Sequence, residues 1–88
     1  MNRTDFYRAN IYKAIDDERD RQSEMWSKPH AWGQGDASSP DVAPMTKVAI
    51  LTEELGEVAR AALELDNNQL QVELVQLAAV AVAWLEGM

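Results

Sequence analysis

The chain has 88 residues, a net charge of −7 and hydrophobic residues at 47% of its positions. This length predicts a single domain over residues 1–88, and the hydrophobic content excludes a disordered chain. The negative charge argues against nucleic acid and anionic membrane surfaces as partners, because binding to phosphate backbones requires clustered Lys and Arg. The lack of cysteine excludes disulfide bonds and thiolate chemistry.

The apolar segments of the chain indicate its compartment. The N-terminal residues are not followed by the apolar segment of a secretory signal. The apolar run from Leu77 to Leu85 is too short to span a bilayer. We therefore expect a soluble, cytoplasmic protein without a membrane partner.

The first predicted helix runs from about Thr4, which suits the N-cap position, to about Met25. Its charged run, residues 16–21, is interpreted mainly as a solvated face with internal ion pairs. Arg21, at the end of this run, or the neighbouring Gln22 could still reach a ligand.

Residues 27–44 are predicted to form a long loop, because Pro, Gly and Ser interrupt any periodic pattern. Loops of this length in small domains are often functional. An aromatic side chain here, Trp26 at the edge or Trp32 within the loop, could stack on a nucleobase. The alternative is that both tryptophans cover the open end of a helical bundle. His30 is interpreted as a hydrogen-bonding loop residue rather than a catalytic base.

Two further helices are predicted after the loop. The second runs from Pro44 or Met45 to about Asp66, and the third runs from about Asn68 to about Glu86. One stripe of the second helix is apolar and should face the core. Its members are Val48, Leu51, Leu55, Val58, Ala62 and Leu65.

These two helices each carry an acidic motif, Glu53-Glu54-Leu55-Gly56-Glu57 and Glu73-Leu74-Val75-Gln76. Residues three or four apart share one face of a helix, so Glu54 lies beside Glu57, and Glu73 lies beside Gln76. If the helices pack antiparallel, four side-chain oxygens converge on one point. Hard divalent cations such as Mg²⁺ prefer oxygen ligands of this kind.

Some features of the two motifs favour a metal site, and others argue against it. Glu53 is predicted to point away from the convergence, toward the side of Arg60 and Glu64. Acidic motifs on helices are usually solvated faces. Glu73 and Gln76, however, lie on the same face of the third helix as the apolar residues Val80, Ala83 and Trp84. A carboxylate among apolar residues needs a compensating partner.

The third predicted helix is apolar almost all round between Leu74 and Leu85, apart from Gln76. A helix of this type is buried on all sides, and three helices from a chain of 88 residues cannot cover it. We therefore predict an all-α fold with three main helices per chain, which associate into an oligomeric helical bundle. A homodimer or a dimer of dimers is expected.

The chain resembles the MazG-like, all-α nucleoside triphosphate pyrophosphohydrolases of bacteria and phages in three segments. These are residues 51–61 (LTEELGEVARA), residues 73–86 (ELVQLAAVAVAWLE), and residues 18–22 (ERDRQ) followed by Trp26. The resemblance implies hydrolysis of the α–β phosphoanhydride of a nucleoside triphosphate, with release of the monophosphate and pyrophosphate. It also implies Mg²⁺ as the cofactor, with Mn²⁺ as an alternative.

The resemblance assigns roles to individual residues. Glu54, Glu57 and Glu73 match the magnesium ligands of the family. Glu53 matches a catalytic glutamate that holds a second metal or orients the attacking water. The fourth ligand of the family is usually an aspartate, and this chain has Gln76 there. An amide oxygen can coordinate Mg²⁺, but it is neutral and cannot act as a base.

Two further interpretations stay open beside the resemblance to the pyrophosphohydrolases. Lys47, on the same helix as Glu54, could add a phosphate contact, although a surface lysine at a helix start is the simpler interpretation. The chain could also be a non-catalytic helical dimerisation or regulatory module that keeps the fold without the activity. A divalent cation with a nucleotide should raise the melting temperature of a protein that binds them, but not that of a scaffold.

Overall fold

The computed structural model describes residues 3–31 and 33–88, and it contains three long helices. They are α1 (Arg3–Met25), α2 (Pro44–Leu63) and α3 (Asn67–Glu86). The helix α3 packs against both α1 and α2, while α1 and α2 do not pack on each other in the described part of the chain. The predicted all-α class with three helices is confirmed. No helix among the described residues has the length and apolar character to cross a membrane.

The helix ends differ from the predicted ends by short distances. Helix α1 begins at Arg3, so Thr4 lies inside the first turn instead of preceding it. Helix α2 ends at Leu63, before the predicted Asp66, because Leu65 adopts the left-handed conformation at φ 55°. Asp66 instead caps α3, since its side chain accepts a hydrogen bond from the backbone N–H of the first turn.

The segment between α1 and α2 contains a short hairpin that the sequence did not predict. Strand β1 (Pro29–His30) pairs antiparallel with strand β2 (Gly33–Gln34). Two glycines permit the tight path, because Gly33 at φ 139° and Gly35 at φ 92° occupy backbone conformations that other residues rarely adopt. The ring of His30 donates from Nε2 to the carbonyl oxygen of Gly35 at 2.9 Å. Its predicted role as a hydrogen-bonding loop residue is confirmed.

The core of the single chain is small and lies between the loop, α2 and α3. Its buried centre is formed by Ala37, Val80 and Ala83, with Ile50 and Leu51 packed against it. Bulky apolar residues that bury fully are few here, which agrees with the limited core of a short chain.

The predicted core stripe of α2 is wrong at several positions. Val48 is 41% exposed, Leu55 is 56% exposed and Leu65 is 86% exposed. Ala62 is exposed as well, and only Leu51 and Val58 are partly buried. The buried residues of α2 are Lys47 and Ala61, on the neighbouring side of the helix. The reason is that α3 is the only helix that packs on α2 within the described chain, and it covers only the side that faces it.

An ion-pair cluster joins α1, the loop and the end of α3. Arg19 donates from Nη1 to Asp36 at 2.7 Å and from Nη2 to Glu86 at 2.9 Å. Arg19 is only 8% exposed, so the prediction that its charged run is a solvated face is wrong at this position. The loop also lies against the end of α3, where a Cβ on Gly87 would collide with the carbonyl oxygen of Ser38.

Candidate metal centre

Three carboxylates from the facing sides of α2 and α3 meet at one point. One side-chain oxygen each of Glu54, Glu57 and Glu73 lies within 4.8 Å of the others. Glu54 and Glu57 are neighbours because three residues make almost one helical turn, and α3 brings Glu73 to them from across the helix pair. Four oxygens were expected to converge if the two helices pack antiparallel, and the approach of these three carboxylates is confirmed. The approach of the Gln76 side-chain oxygen to the same point stays a prediction.

The proximity of the three carboxylates makes their negative charges unfavourable. Burial raises the pKa of Glu54 to about 7, and repulsion from Glu57, Glu73 and Glu53 acts in the same direction. The pKa of Glu57 is also raised, first by a hydrogen bond shared with Glu73 and then by burial. The metal-free cluster therefore retains protons at pH values where an isolated carboxyl group would have lost them.

The buried oxygens of the cluster show that its polar groups are incompletely satisfied. Oε2 of Glu54 and Oε2 of Glu73 are buried and have no hydrogen-bond partner among the described residues. Glu73 is only 9% exposed, and its other oxygen accepts a hydrogen bond from Gln69 Nε2 at 2.6 Å, which orients the carboxylate. An unpaired buried carboxylate oxygen is costly. A hard divalent cation would supply such a partner, because its preferred ligands are oxygen atoms of this kind.

A cavity of about 270 Å³ adjoins the cluster, between α1, the loop, α2 and α3. Glu54 belongs both to the cluster and to the wall of this cavity. The other predicted site residues on the wall are Arg21, Gln22, Trp26, Glu53 and Gln76. Residues predicted separately on three helices therefore share one concave surface.

The position of Glu53 differs from the prediction. It was expected to point toward Arg60 and Glu64, but it lines the cavity beside Glu54. Arg60 instead pairs with Glu64, with Nε 3.0 Å from the carboxylate. Glu53 is exposed, so water has access to its carboxylate.

Part of the cavity lining is apolar and includes an aromatic residue. Trp26, Ile50 and Val80 are among the lining residues. The ring of Trp26 meets the ring of His30 edge to face, with centroids 5.0 Å apart and an interplanar angle of 71°. This contact connects the indole to the hairpin of the loop. A planar aromatic ligand could stack or pack against such a wall.

The end of α1 contributes three polar residues, Glu18, Arg21 and Gln22, to the lining of the cavity. Arg21 donates two hydrogen bonds to Glu18, of 2.7 and 2.6 Å, and these bonds lower the pKa of Glu18. Gln22 is 6% exposed and donates from Nε2 to Glu18 at 3.1 Å and to the backbone carbonyl of Gln76 at 3.4 Å. These bonds attach α1 to α3 at the level of the acidic cluster.

The outcome differs for the two remaining predicted substrate-binding residues, Lys47 and Trp32. Lys47 is 5% exposed, so it is not a surface lysine, and it does not line the described cavity. A phosphate contact by Lys47 stays a prediction. Trp32 lies outside the described residues, and its proposed stacking stays a prediction as well.

Several residues of the cavity wall were not predicted from the sequence. Asp36 and Ala37 come from the loop, Met25 comes from the end of α1, and Glu18 was assigned to a solvated face. Ile50 was the residue most open to prediction, because it lies one helical turn before Glu54 on the same face. The loop residues had no periodic pattern that could place them.

The acidic cluster and the cavity form one candidate site, since Glu54 belongs to both. Comparison of the chain with protein-family models, curated proteins and solved structures gives no match. The function is therefore inferred from the residues of this site.

Proposed function

We propose that the chain is a Mg²⁺-dependent nucleoside triphosphate pyrophosphohydrolase of the MazG-like, all-α type. The observation that supports this most is the approach of the Glu54, Glu57 and Glu73 oxygens to within 4.8 Å beside a cavity with an aromatic wall. A protein with a net charge of −7 repels a polyphosphate unless cations bridge the two. An acidic cluster next to an aromatic wall suits a ligand that is anionic at one end and planar at the other.

The proposed metal ligands are Glu54, Glu57 and Glu73, with Gln76 as a neutral fourth ligand. When held by these residues, Mg²⁺ or Mn²⁺ would neutralise negative charge on the phosphate groups of the substrate. Gln69 holds Glu73 in place through the 2.6 Å hydrogen bond to its Oε1. Partners of this type orient metal ligands and raise metal affinity.

The proposed reaction is an attack of water on the α-phosphorus. Glu53, which lines the cavity beside Glu54 and is exposed, accepts a proton from the attacking water. The water oxygen bonds to the α-phosphorus while the bond from that phosphorus to the bridging oxygen breaks. The products are the nucleoside monophosphate and pyrophosphate.

The base and sugar are proposed to occupy the cavity of about 270 Å³. Trp26, Ile50 and Val80 provide the apolar wall for the base, and base–aromatic stacking is worth about 1–3 kcal/mol. Arg21 and Gln22 add polar groups at the α1 side of the same cavity. A nucleoside triphosphate is therefore the proposed substrate.

Association into a homodimer or a dimer of dimers is part of the proposal. Leu55 of α2 is 56% exposed, and Leu74 and Leu85 of α3 are 47% and 69% exposed. Burying a side chain of this size contributes about 1.5–3 kcal/mol. Two copies that pair these faces symmetrically bury them without any other partner.

A non-catalytic dimerisation or regulatory module is the second candidate, and the same exposed apolar residues favour it. The two candidates differ in their response to ligand. Mg²⁺ with a nucleotide should raise the melting temperature of an enzyme that binds both, because a ligand stabilises the state that binds it. A module without a binding site should melt at the same temperature with and without them.

The decisive experiment is incubation with Mg²⁺ and a panel of nucleoside triphosphates, with the products separated by chromatography. Monophosphate and pyrophosphate are expected, whereas diphosphate and orthophosphate would refute the proposed reaction. Glu54→Gln and Glu57→Gln should each lose most of the activity while their helix content stays unchanged. Glu24→Gln, at an exposed position of α1 outside the cavity wall, is the matched control and should keep full activity.

A further inference from the structure

Three residues at successive turns of α1, Glu18, Gln22 and Trp26, line the cavity of about 270 Å³. Positions four apart lie on one face of a helix, so the side chain of Gln22 lies one turn from the indole of Trp26. The backbone N–H of Trp26 donates to the carbonyl oxygen of Gln22 at 3.1 Å, which continues the helical turn to this point. A base packed against Trp26 would bring one edge within reach of the Gln22 amide.

The amide of Gln22 is held in one orientation. Its Nε2 donates to Oε2 of Glu18 at 3.1 Å and to the backbone carbonyl oxygen of Gln76 at 3.4 Å. A carboxylate and a carbonyl group only accept hydrogen bonds, so the reversed amide would place oxygen against oxygen at both contacts. The hydrogen bonds from Arg21 and then from Gln22 lower the pKa of Glu18, so Glu18 remains a charged acceptor at neutral pH.

The other end of the same amide is an unused acceptor. Glu18 and Gln76 engage the nitrogen of Gln22, and within the described chain its Oε1 accepts no hydrogen bond. Gln22 is only 6% exposed, and because it lines the cavity, its accessible part faces the cavity. A largely buried acceptor without a donor is costly, which favours a ligand that brings an N–H group to it.

The nearest donors on this side of the cavity are already engaged. Nε and Nη2 of Arg21 donate to Glu18 at 2.7 and 2.6 Å, and Nη1 of Arg21 points at Sδ of Met25 at 3.7 Å. Asp36, which also lines the cavity, is a further acceptor. A ligand oxygen placed against Oε1 of Gln22 would therefore meet another oxygen, whereas a ligand N–H group would gain a hydrogen bond.

We propose that this cavity selects nucleobases that carry an exocyclic amino group, as adenine and cytosine do, through a hydrogen bond from that group to Oε1 of Gln22. This inference rests on the proposed function and names the class of base in the substrate. The amino group donates where the oxo group of hypoxanthine or uracil only accepts. A site that hydrogen-bonds a polar group of its substrate rejects the analogue without that group strongly, because the protein partner is then left unpaired.

Two pairs of nucleotides test the inference, cytidine with uridine monophosphate and adenosine with inosine monophosphate. The members of each pair have nearly the same shape and exchange an amino group for an oxo group. Calorimetric titration of each nucleotide into the full chain with Mg²⁺ measures binding independently of hydrolysis. In both pairs the nucleotide with the amino group should bind about five- to a hundred-fold more tightly, which is the range for a buried polar group left unpaired.

Substitution of Gln22 locates the source of the preference. Gln22→Leu removes the acceptor at similar volume and should abolish the preference in both pairs. Gln22→Asn keeps an amide but withdraws it by one methylene group, so it should reduce the preference, and it replaces Gln22→Leu as the test if circular dichroism shows that variant to be unfolded. Gln71→Leu makes the same change at an exposed position of α3 outside the cavity lining, and it should keep the preference of the wild type.

The outcomes separate this inference from the proposed function. If the wild type hydrolyses triphosphates but binds both members of each pair equally, the assignment of Gln22 is wrong and the reaction stands. If the wild type shows no hydrolysis but prefers the amino bases in a Gln22-dependent manner, the reaction is wrong and the assignment stands. A preference that survives undiminished in the folded Gln22 variants, or a wild type that binds none of the four nucleotides, overturns the assignment.

Discussion

Arg19 donates a hydrogen bond to Asp36 at 2.7 Å, and the two side chains are only 9% and 6% exposed. This buried ion pair connects the middle of α1 to the loop that forms part of the cavity wall. Ser38 donates two further hydrogen bonds to Asp36, from its backbone N–H and its hydroxyl group. The loop is therefore held against the helices by polar contacts as well as by Ala37 in the core.

Removal of one partner of this pair should destabilise the fold. Asp36→Ala leaves Arg19 buried with only Glu86 to neutralise it, and breaking a buried pair in this way typically costs about 3–5 kcal/mol. We expect a loss near the lower end of this range, measured as the free energy of unfolding in urea. Lys13→Ala, which breaks an exposed pair of α1, should leave the free energy of unfolding almost unchanged. Equal stability of the wild type and Asp36→Ala would contradict the role given to the pair.

The same pair should make the protein sensitive to acid. Burial raises the pKa of Asp36, but hydrogen bonds from Ser38 and Arg19 outweigh it and hold the pKa below 3.8. A hydrogen bond from Arg19 lowers the pKa of Glu86 below 4.5. A lowered pKa in the folded state gives stability that is present above the ordinary value and is lost as the pH falls through the folded value. Urea unfolding from pH 7 to pH 3 should show this loss at the acidic end, and a smaller one in Asp36→Asn.

Glu54 should produce the opposite pH dependence in the metal-free protein. Its pKa is raised from 4.5 to about 7, so the folded chain binds its proton more tightly than the unfolded chain does. Stability from this group is complete below 4.5 and is lost as the pH rises through about 7. The melting temperature without metal should therefore fall between pH 5 and pH 7.5, and Glu54→Gln should reduce the fall. A fall of the same size in Glu54→Gln would show that Glu54 is not its source.

Gln76 offers a direct test of the fourth ligand. If its amide oxygen binds Mg²⁺, Gln76→Asp should tighten Mg²⁺ binding, because it adds a negative charge to the ligand set. If Gln76 is only a polar residue on the cavity wall, the same change should destabilise the fold without improving metal affinity. Calorimetric titration of Mg²⁺ into both proteins separates the two results.

The predicted oligomer depends on the exposed apolar face of α3. Ala81 is exposed on this helix between Leu74 and Leu85. Ala81→Glu should break the assembly, because it introduces a charge into an apolar interface, and the separated chain should unfold more easily. Asn10→Glu, at an exposed position of α1, is the control and should remain assembled. Light scattering of the wild type checks the premise, since a folded monomer of 9.8 kDa at micromolar concentration would refute the oligomer.

The sequence alone was sufficient to predict the three helices and to place Glu54 and Glu57 of the acidic cluster on one helix face. Helical periodicity is local, so the spacing of Glu54 and Glu57 places both on one face wherever the helix packs. Glu73 needed one further assumption, that α2 and α3 pack antiparallel, and the short connection after Leu63 makes this geometry natural. Asp66 was taken for the end of α2 and caps α3 instead, because the left-handed Leu65 ends the helix before it.

Other features were decided only by the tertiary structure. The exposure of Leu55 and the burial of Lys47 depend on which side of α2 meets α3, and a stripe of apolar residues does not distinguish a core from an interface with another copy. The pairing of Arg19 with Asp36 joins a helix to a loop without periodicity, so no local pattern predicts it. Spacing along one helix is determined by backbone geometry, whereas contacts between elements depend on how the whole chain packs.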